Sequence, residues 1–326
     1  MTTARRSMLA AALAGPFLAV RGAAAQTRWQ MATPYSDGNF HTRNIRAFLD
    51  EVQAGSAGRF AVQLHSNASL LPMPQIKRGV QTGQVQLGEI LLTAYANEDP
   101  FFDADAIPQL VITQAQAKKL ADLQKPFIEA RLQRQGMQLL YMVPWPRSGL
   151  YSQTPMTSLD QLRGMRFRTF SPTTNRFAAL IGANPTLVQS AELAQAFATG
   201  IVQAQITSAA TGVDTSAWDY ARVFSPLGFS MTKNAVFVSR REFMALPEDV
   251  RALMLAAAAR AETRGYEMQA EAQATTERTL GERGMTIVQP SEEMLAGLLR
   301  ISATMTDEWI VRAGEDGRRL IDAYRA

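Results

Sequence analysis

An arginine at the end of a short strand, just ahead of a helix, is a natural place to hold an anion, and this sequence has one. Residues 165–169 read as a strand, and Ser171-Pro172 as a helix start, with serine as N-cap and proline as the first helical residue. Arg168 lies near the strand's carboxyl end, three residues before that cap. A carboxylate bound there would meet a planar guanidinium and free helix N–H donors together. Arg166 shares its side of the strand, so a solvated basic edge explains the pair equally well.

Groups suited to catalysis are sparse. There are two histidines, His41 and His65, and no cysteine, which excludes disulfides, thiolate metal sites and thiol nucleophiles. No G-x-S-x-G, H-E-x-x-H, Walker A or G-x-G-x-x-G motif occurs, so no catalytic residue, metal site or cofactor is expected. His41 reads as a helix-surface or loop-packing residue rather than a base.

The elements that must position Arg168 follow an alternating pattern. Residues 29–33, 59–65, 85–91 and 137–143 read as strands. Helical spacing covers 40–52, 74–82 and 115–134, with Pro126 expected to kink or restart the last. After Trp145-Pro146 the alternation resumes: strand 165–169, a helix from Ser171 to near Gly182, strand 186–188, a helix from Ser190, and strand 202–207. Strands alternating with helices predict α/β sheets with right-handed crossovers, in two halves meeting at a crevice. Residues 247–280 carry helical pattern without a further proline and would extend about 50 Å if continuous. Two helices broken at Gly265 are the alternative; one long helix bridging both lobes fits the unbroken pattern better.

The first 25 residues have the form of a secretory leader. Arg5 and Arg6 precede an apolar run over 8–20, and Ala23-Ala24-Ala25 offers a cleavage site before Gln26. The run holds Gly15 and Pro16 and falls short of the about 20 residues a spanning helix needs. Arg5-Arg6-Ser7-Met8-Leu9 also loosely fits a twin-arginine signal. Of the chain's 326 residues, 33 are Lys or Arg and 29 Asp or Glu. Loss of the leader removes three arginines and leaves 30 basic against 29 acidic groups, a net charge of +1. No clustered basic face is visible, so nucleic acid is not an expected partner.

The run Ser158-Leu159-Asp160-Gln161-Leu162-Arg163-Gly164-Met165-Arg166-Phe167-Arg168 resembles the L-x-G-x-K-x-R segment of DctP-type substrate-binding proteins of TRAP (tripartite ATP-independent periplasmic) transporters. The resemblance continues through Gly182-Ala183-Asn184-Pro185-Thr186, Glu192-Leu193 and Gly83-Gln84-Val85-Gln86-Leu87-Gly88-Glu89, and covers the chain beyond the leader. It implies a two-lobed periplasmic binding protein fold of α/β class, with a ligand cleft between lobes and a long bridging helix. The expected division is 26–145 with 234–272, and 146–233 with 273–326. It further implies a periplasmic receptor that takes a small organic carboxylate, gripped by Arg168, and passes it to TRAP-type membrane subunits driven by an ion gradient.

Other positions carry over with departures. Glu89 matches an acidic pocket position, or else pairs with a nearby arginine. Thr207 stands where many relatives place Asn before Pro, which puts the usual amide contact in doubt. Arg147 is one place from a second family arginine and is not assigned. With that cation missing, a monocarboxylate is favoured over dicarboxylates or sialic acid. Trp145 and Tyr35 suit apolar pocket walls and core packing equally. The alternatives are a secreted enzyme using Glu89 as acid or base, and a receptor for an ATP-driven importer or sensor.

Overall fold

The computed structural model describes residues 27–326; the leader expected over 1–25 lies outside them. The first elements along the chain are β1 (Thr27–Ala32), α1 (Phe40–Gly55), β2 (Phe60–His65), α2 (Met73–Thr82) and β3 (Leu87–Leu91). Next come α3 (Gln114–Arg134), β4 (Met137–Pro144), β5 (Ser148–Ser152), β6 (Arg166–Thr169), α4 (Pro172–Leu180) and β7 (Asn184–Leu187). Then follow α5 (Leu193–Ala198), β8 (Ala204–Ser208), α6 (Ala209–Asp214), β9 (Val223–Ser225) and β10 (Lys233–Ser239). The chain finishes with α7 (Arg240–Ala245), α8 (Glu248–Glu282), β11 (Thr286–Ile287) and α9 (Glu292–Arg325).

Two sheets result, in the orders β2-β1-β3-β10-β4 and β11-β9-β5-β8-β6-β7. The α/β expectation holds, but the sheets are mixed: β10 runs antiparallel to β3 and β4, and β5 antiparallel to β8 and β9. Both β5 and β10 are entered directly from the other sheet. The chain leaves the first sheet after β4 to enter β5, and returns after β9 to enter β10. The two crossings lie side by side, since Trp145 N donates to Thr232 O (2.7 Å) and Ser148 N to Ser230 O (3.0 Å).

Each sheet is covered on both faces, as buried strands require. On the first sheet, Phe48, Trp29 and Phe60 form one core with Val250, Met254 and Ala261 of α8. Ile76, Val80 and Phe237 form the other with Ile128 and Leu132 of α3. On the second sheet, Phe167 and Phe177 pack with Trp309 and Leu320 of α9, while Phe224 and Tyr151 pack with Leu280 at the far end of α8.

Helix α8 is therefore one 35-residue helix whose first half packs on one sheet and whose last turns reach the other. Gly265 does not break it. A Cβ there would lie 2.3 Å from Val143 Cγ2, so the glycine serves close approach of α8 to β4. Pro126 likewise leaves α3 continuous. Two features escaped the sequence reading. Phe101, Ala104 and Ile107, together with Ala117 and Leu120 of α3, join the second sheet's core although they precede β4. The last helix turns at Gly314, whose φ of 68° is a left-handed value that glycine adopts freely.

Candidate functional site

Between the sheets lies an open cleft of about 840 Å³, counting its mouth. The parallel strands β6, β7 and β8 point their carboxyl ends at it, the position where open α/β sheets leave a crevice. Pro34, Tyr35, Met73, Leu91, Trp145 and Phe170 give it apolar walls. Ser148, Thr207, Thr211 and Thr232 add hydroxyls. Arg168 is the one cation lining it among the described residues, and Glu192, exposed, the one carboxylate.

Arg168 is 4% exposed and has no carboxylate partner among the described residues. Its Nε donates to Val188 O (3.0 Å), and its guanidinium carbon sits 4.7 Å from the centre of the Phe170 ring. The strand end and the aromatic face thus fix the fork, while its two terminal nitrogens make no hydrogen bond to the described residues. Burial lowers its pKa to about 10, with the Tyr220 and Tyr35 phenols acting the other way, so it stays cationic at neutral pH. Arg166, two residues earlier, is exposed and donates to Gly200 O instead. The pair is not a solvated basic edge.

The helix after Arg168 begins as expected. Ser171 caps it by accepting from Thr174 N (3.1 Å), and Pro172 holds the first position. Its donors do not join the cleft, however. Ser171 lines a neighbouring depression, and its own N–H is used by Thr174 Oγ1 (3.0 Å). The α4 terminus holds Phe170, whose N–H donates to Thr174 Oγ1 (3.0 Å), rather than meeting the cleft itself.

Four of the five predicted site residues line the cleft: Arg168, Thr207, Trp145 and Tyr35. Glu89 does not. It lies on β3, 1% exposed, behind the aromatic wall. Thr33 Oγ1 donates to one oxygen and Asn234 Nδ2 to the other (2.8 Å), with His41 Nδ1 3.6 Å away. No arginine among the described residues pairs with it. Asn234 Oδ1 in turn accepts from Trp145 Nε1 (2.8 Å) and Tyr35 Oη (3.4 Å). Asn234 and Thr33 went unnoticed in the sequence, where a polar residue inside an apolar strand was the available signal. Arg147 is exposed and outside the cleft lining. His41 is interior rather than on the surface, 4.5 Å from the Trp145 ring centre.

Burial shifts Glu89 and His41 of this network with opposite consequences for stability near neutral pH. Desolvation raises Glu89 from 4.5 to about 7, against the lowering effect of Thr33 and Asn234. The folded chain then binds more protons at this site than the unfolded chain between about 4.5 and about 7, so this group's contribution to stability falls as pH rises through that window. Desolvation lowers His41 well below 6.5, so its contribution instead rises with pH up to about 6.5. Glu89→Gln removes the first effect only. Urea unfolding should show the variant gaining on the parent as pH climbs from about 4.5 and levelling off above about 7. A difference independent of pH would contradict a neutral, buried Glu89.

No group of acidic, His or Cys side chains among the described residues could hold a metal. No described helix is long and apolar enough to cross a membrane.

Known proteins share this fold. The crystal structure of DctP7, a Bordetella pertussis extracytoplasmic solute receptor binding pyroglutamic acid, superposes with a TM-score of 0.91 at 41% identity, covering 92% of this chain and 100% of that one. DctP6 of the same organism, also binding pyroglutamic acid, gives 0.90 at 40%, covering 92% and 99%. A marine metagenome TRAP solute-binding protein specific for pyroglutamate gives 0.90 at 31%, with the same coverage. A solute-binding protein of Albidiferax ferrireducens is 23% identical over 233 residues, 69% of this chain and 68% of that protein. The model of the bacterial extracellular solute-binding protein family 7, DctP, matches residues 31–311, and the chain belongs to that family.

Proposed function

We propose that this solute-binding protein is a periplasmic receptor for pyroglutamate or a closely similar small monocarboxylate, which it hands unchanged to TRAP-type membrane subunits. The observation that carries the reading is the buried Arg168, held at Nε by Val188 O and free of any protein carboxylate among the described residues. A buried guanidinium left unpaired is costly, and an anion offering two oxygens relieves that cost. One lining cation suits one carboxylate. The hydroxyls and apolar walls suit a compact, otherwise neutral body such as a five-membered lactam. Three receptors between 31% and 41% identical to this chain bind pyroglutamate, which supports the same ligand here.

The same geometry supports a receptor that leaves its ligand unchanged. Glu89, the acid or base an enzyme reading would need, is separated from the cleft by Asn234 and Trp145. The lobes divide near 145 and 233, where the chain crosses between sheets, and close over the ligand about those crossings. A thermal-shift panel of L-pyroglutamate, L-proline, glucuronate and succinate tests the reading. A ligand at a hundred times its Kd adds about 2.7 kcal/mol to the native state, so pyroglutamate should raise the melting temperature clearly and succinate should not. Stabilisation by succinate alone would overturn it.

A further inference from the structure

We propose that Glu89 is a positioning residue for ligand binding: it holds Asn234 in the one amide orientation that lets Asn234 Oδ1 accept from both Trp145 and Tyr35 on the cleft wall. The ligand chemistry rests on the pyroglutamate reading above; the linkage itself does not.

An asparagine amide has nearly the same shape after a half-turn, so its neighbours decide which end faces which way. Indole Nε1 can only donate. Turned over, Asn234 would set its own N–H₂ against Trp145 Nε1–H, donor opposed to donor, and the Tyr35 hydroxyl would lose the amide oxygen it donates to. Glu89 prevents this by accepting from Asn234 Nδ2 at 2.8 Å. The other carboxyl oxygen faces the Thr33 hydroxyl, which can donate or accept. Glu89 Oε1 therefore remains an acceptor whether or not the carboxyl carries a proton, which matters for a group raised to about 7. His41 Nδ1, 3.6 Å from Glu89, and the Tyr35 and Tyr141 phenols are the titratable neighbours.

What the relay fixes is the wall of the cleft. Trp145 meets Tyr35 edge-on at 5.0 Å and Phe40 edge-on at 5.4 Å, so a shift of the indole moves the whole aromatic face beside Arg168. Pre-positioned walls matter because ordering them on binding subtracts from affinity.

The test uses the indole N–H signals of the protein labelled at tryptophan, four in all, with Trp145→Phe assigning the one of interest. L-Pyroglutamate calorimetry is run alongside. Glu89→Met removes the acceptor while keeping bulk. It should move the Trp145 signal upfield, speed its exchange with solvent, and weaken pyroglutamate roughly tenfold. Glu89→Gln, which can still present an oxygen to Asn234, should restore the signal and most of the affinity. In a Trp145→Phe background, Glu89→Met should cost much less than it does alone, because the two act through one contact. An unmoved Trp145 signal in Glu89→Met overturns the proposal, as does a Gln variant that binds as poorly as Met with the signal unmoved, the mark of direct ligand contact. Should Glu89→Met fail to fold, Asn234→Ala removes the middle of the relay, and unchanged pyroglutamate affinity there is equally fatal. If the parent itself ignores pyroglutamate, the ligand reading fails while the indole signal still decides the relay.

Discussion

Arg168→Ala is expected to bind L-pyroglutamate about thirty-fold to several thousand-fold more weakly than the parent. Truncating one partner of a buried, hydrogen-bonded charge pair costs about 2–5 kcal/mol, and each 1.4 kcal/mol is about tenfold. Much of that loss comes from a carboxylate left buried without its cation. Arg168→Lys keeps the charge but lacks the planar fork, and the Val188 carbonyl that fixes Nε would lose its partner. The lysine variant should therefore fall well short of the parent. Stability without ligand should be unchanged or slightly higher in Arg168→Ala, because an unpaired buried guanidinium is removed. Calorimetry on both variants, with urea unfolding as control, checks this. A folded Arg168→Ala protein binding pyroglutamate within about threefold of the parent would remove the central residue from the account.

The second large effect concerns stability rather than binding. Lys233, at the start of β10, donates to Asp105 Oδ2 and to Gln124 Oε1, both at 2.7 Å, with lysine and aspartate side chains 4% and 3% exposed. Gln124 Nε2 continues to Phe101 O at 3.0 Å. This knot ties the returning strand of the first sheet to α3 and to the segment that packs in the second sheet's core. Lys233→Met should cost about 3–5 kcal/mol, since it strands a buried aspartate. Lys233→Met with Asp105→Leu should recover most of that loss, because replacing a whole buried pair by apolar groups is often neutral. Urea unfolding of the single and double variants decides it. A single variant within about 1 kcal/mol of the parent would mean that water reaches Asp105.

What the sequence made legible was mostly local. Ser171 and Pro172 start α4 as their chemistry requires, and Gly182 follows it at φ 71°. The pattern over 247–280 gave an unbroken helix because Gly265 answers to tertiary packing, not to backbone weakness. Arg168 stood out because a strand end and a helix start bracket it within four residues. Less legible were relations between distant segments. Nothing within 233–239 says that this strand runs antiparallel between β3 and β4. Nothing around Phe101 says that its core partners are Phe167 and Trp309.

The site divides along the same line. Tyr35, Trp145 and Thr207 follow from resemblance and side-chain type. Glu89 has its partner 145 residues away in Asn234, and only the folded sheet brings carboxyl, amide and indole into line. The expected helix donors at Ser171 were absent from the cleft for a related reason: Thr174 had already taken up the cap.

Titration of the protein with L-pyroglutamate and with its uncharged amide, pyroglutamide, tests the central claim most directly. The two ligands share the lactam ring and differ at the group that Arg168 would hold. Saturable one-to-one heat for the acid, with the amide weaker by about tenfold or more, is the predicted result. Equal affinity for acid and amide, or no binding of the acid, would contradict it.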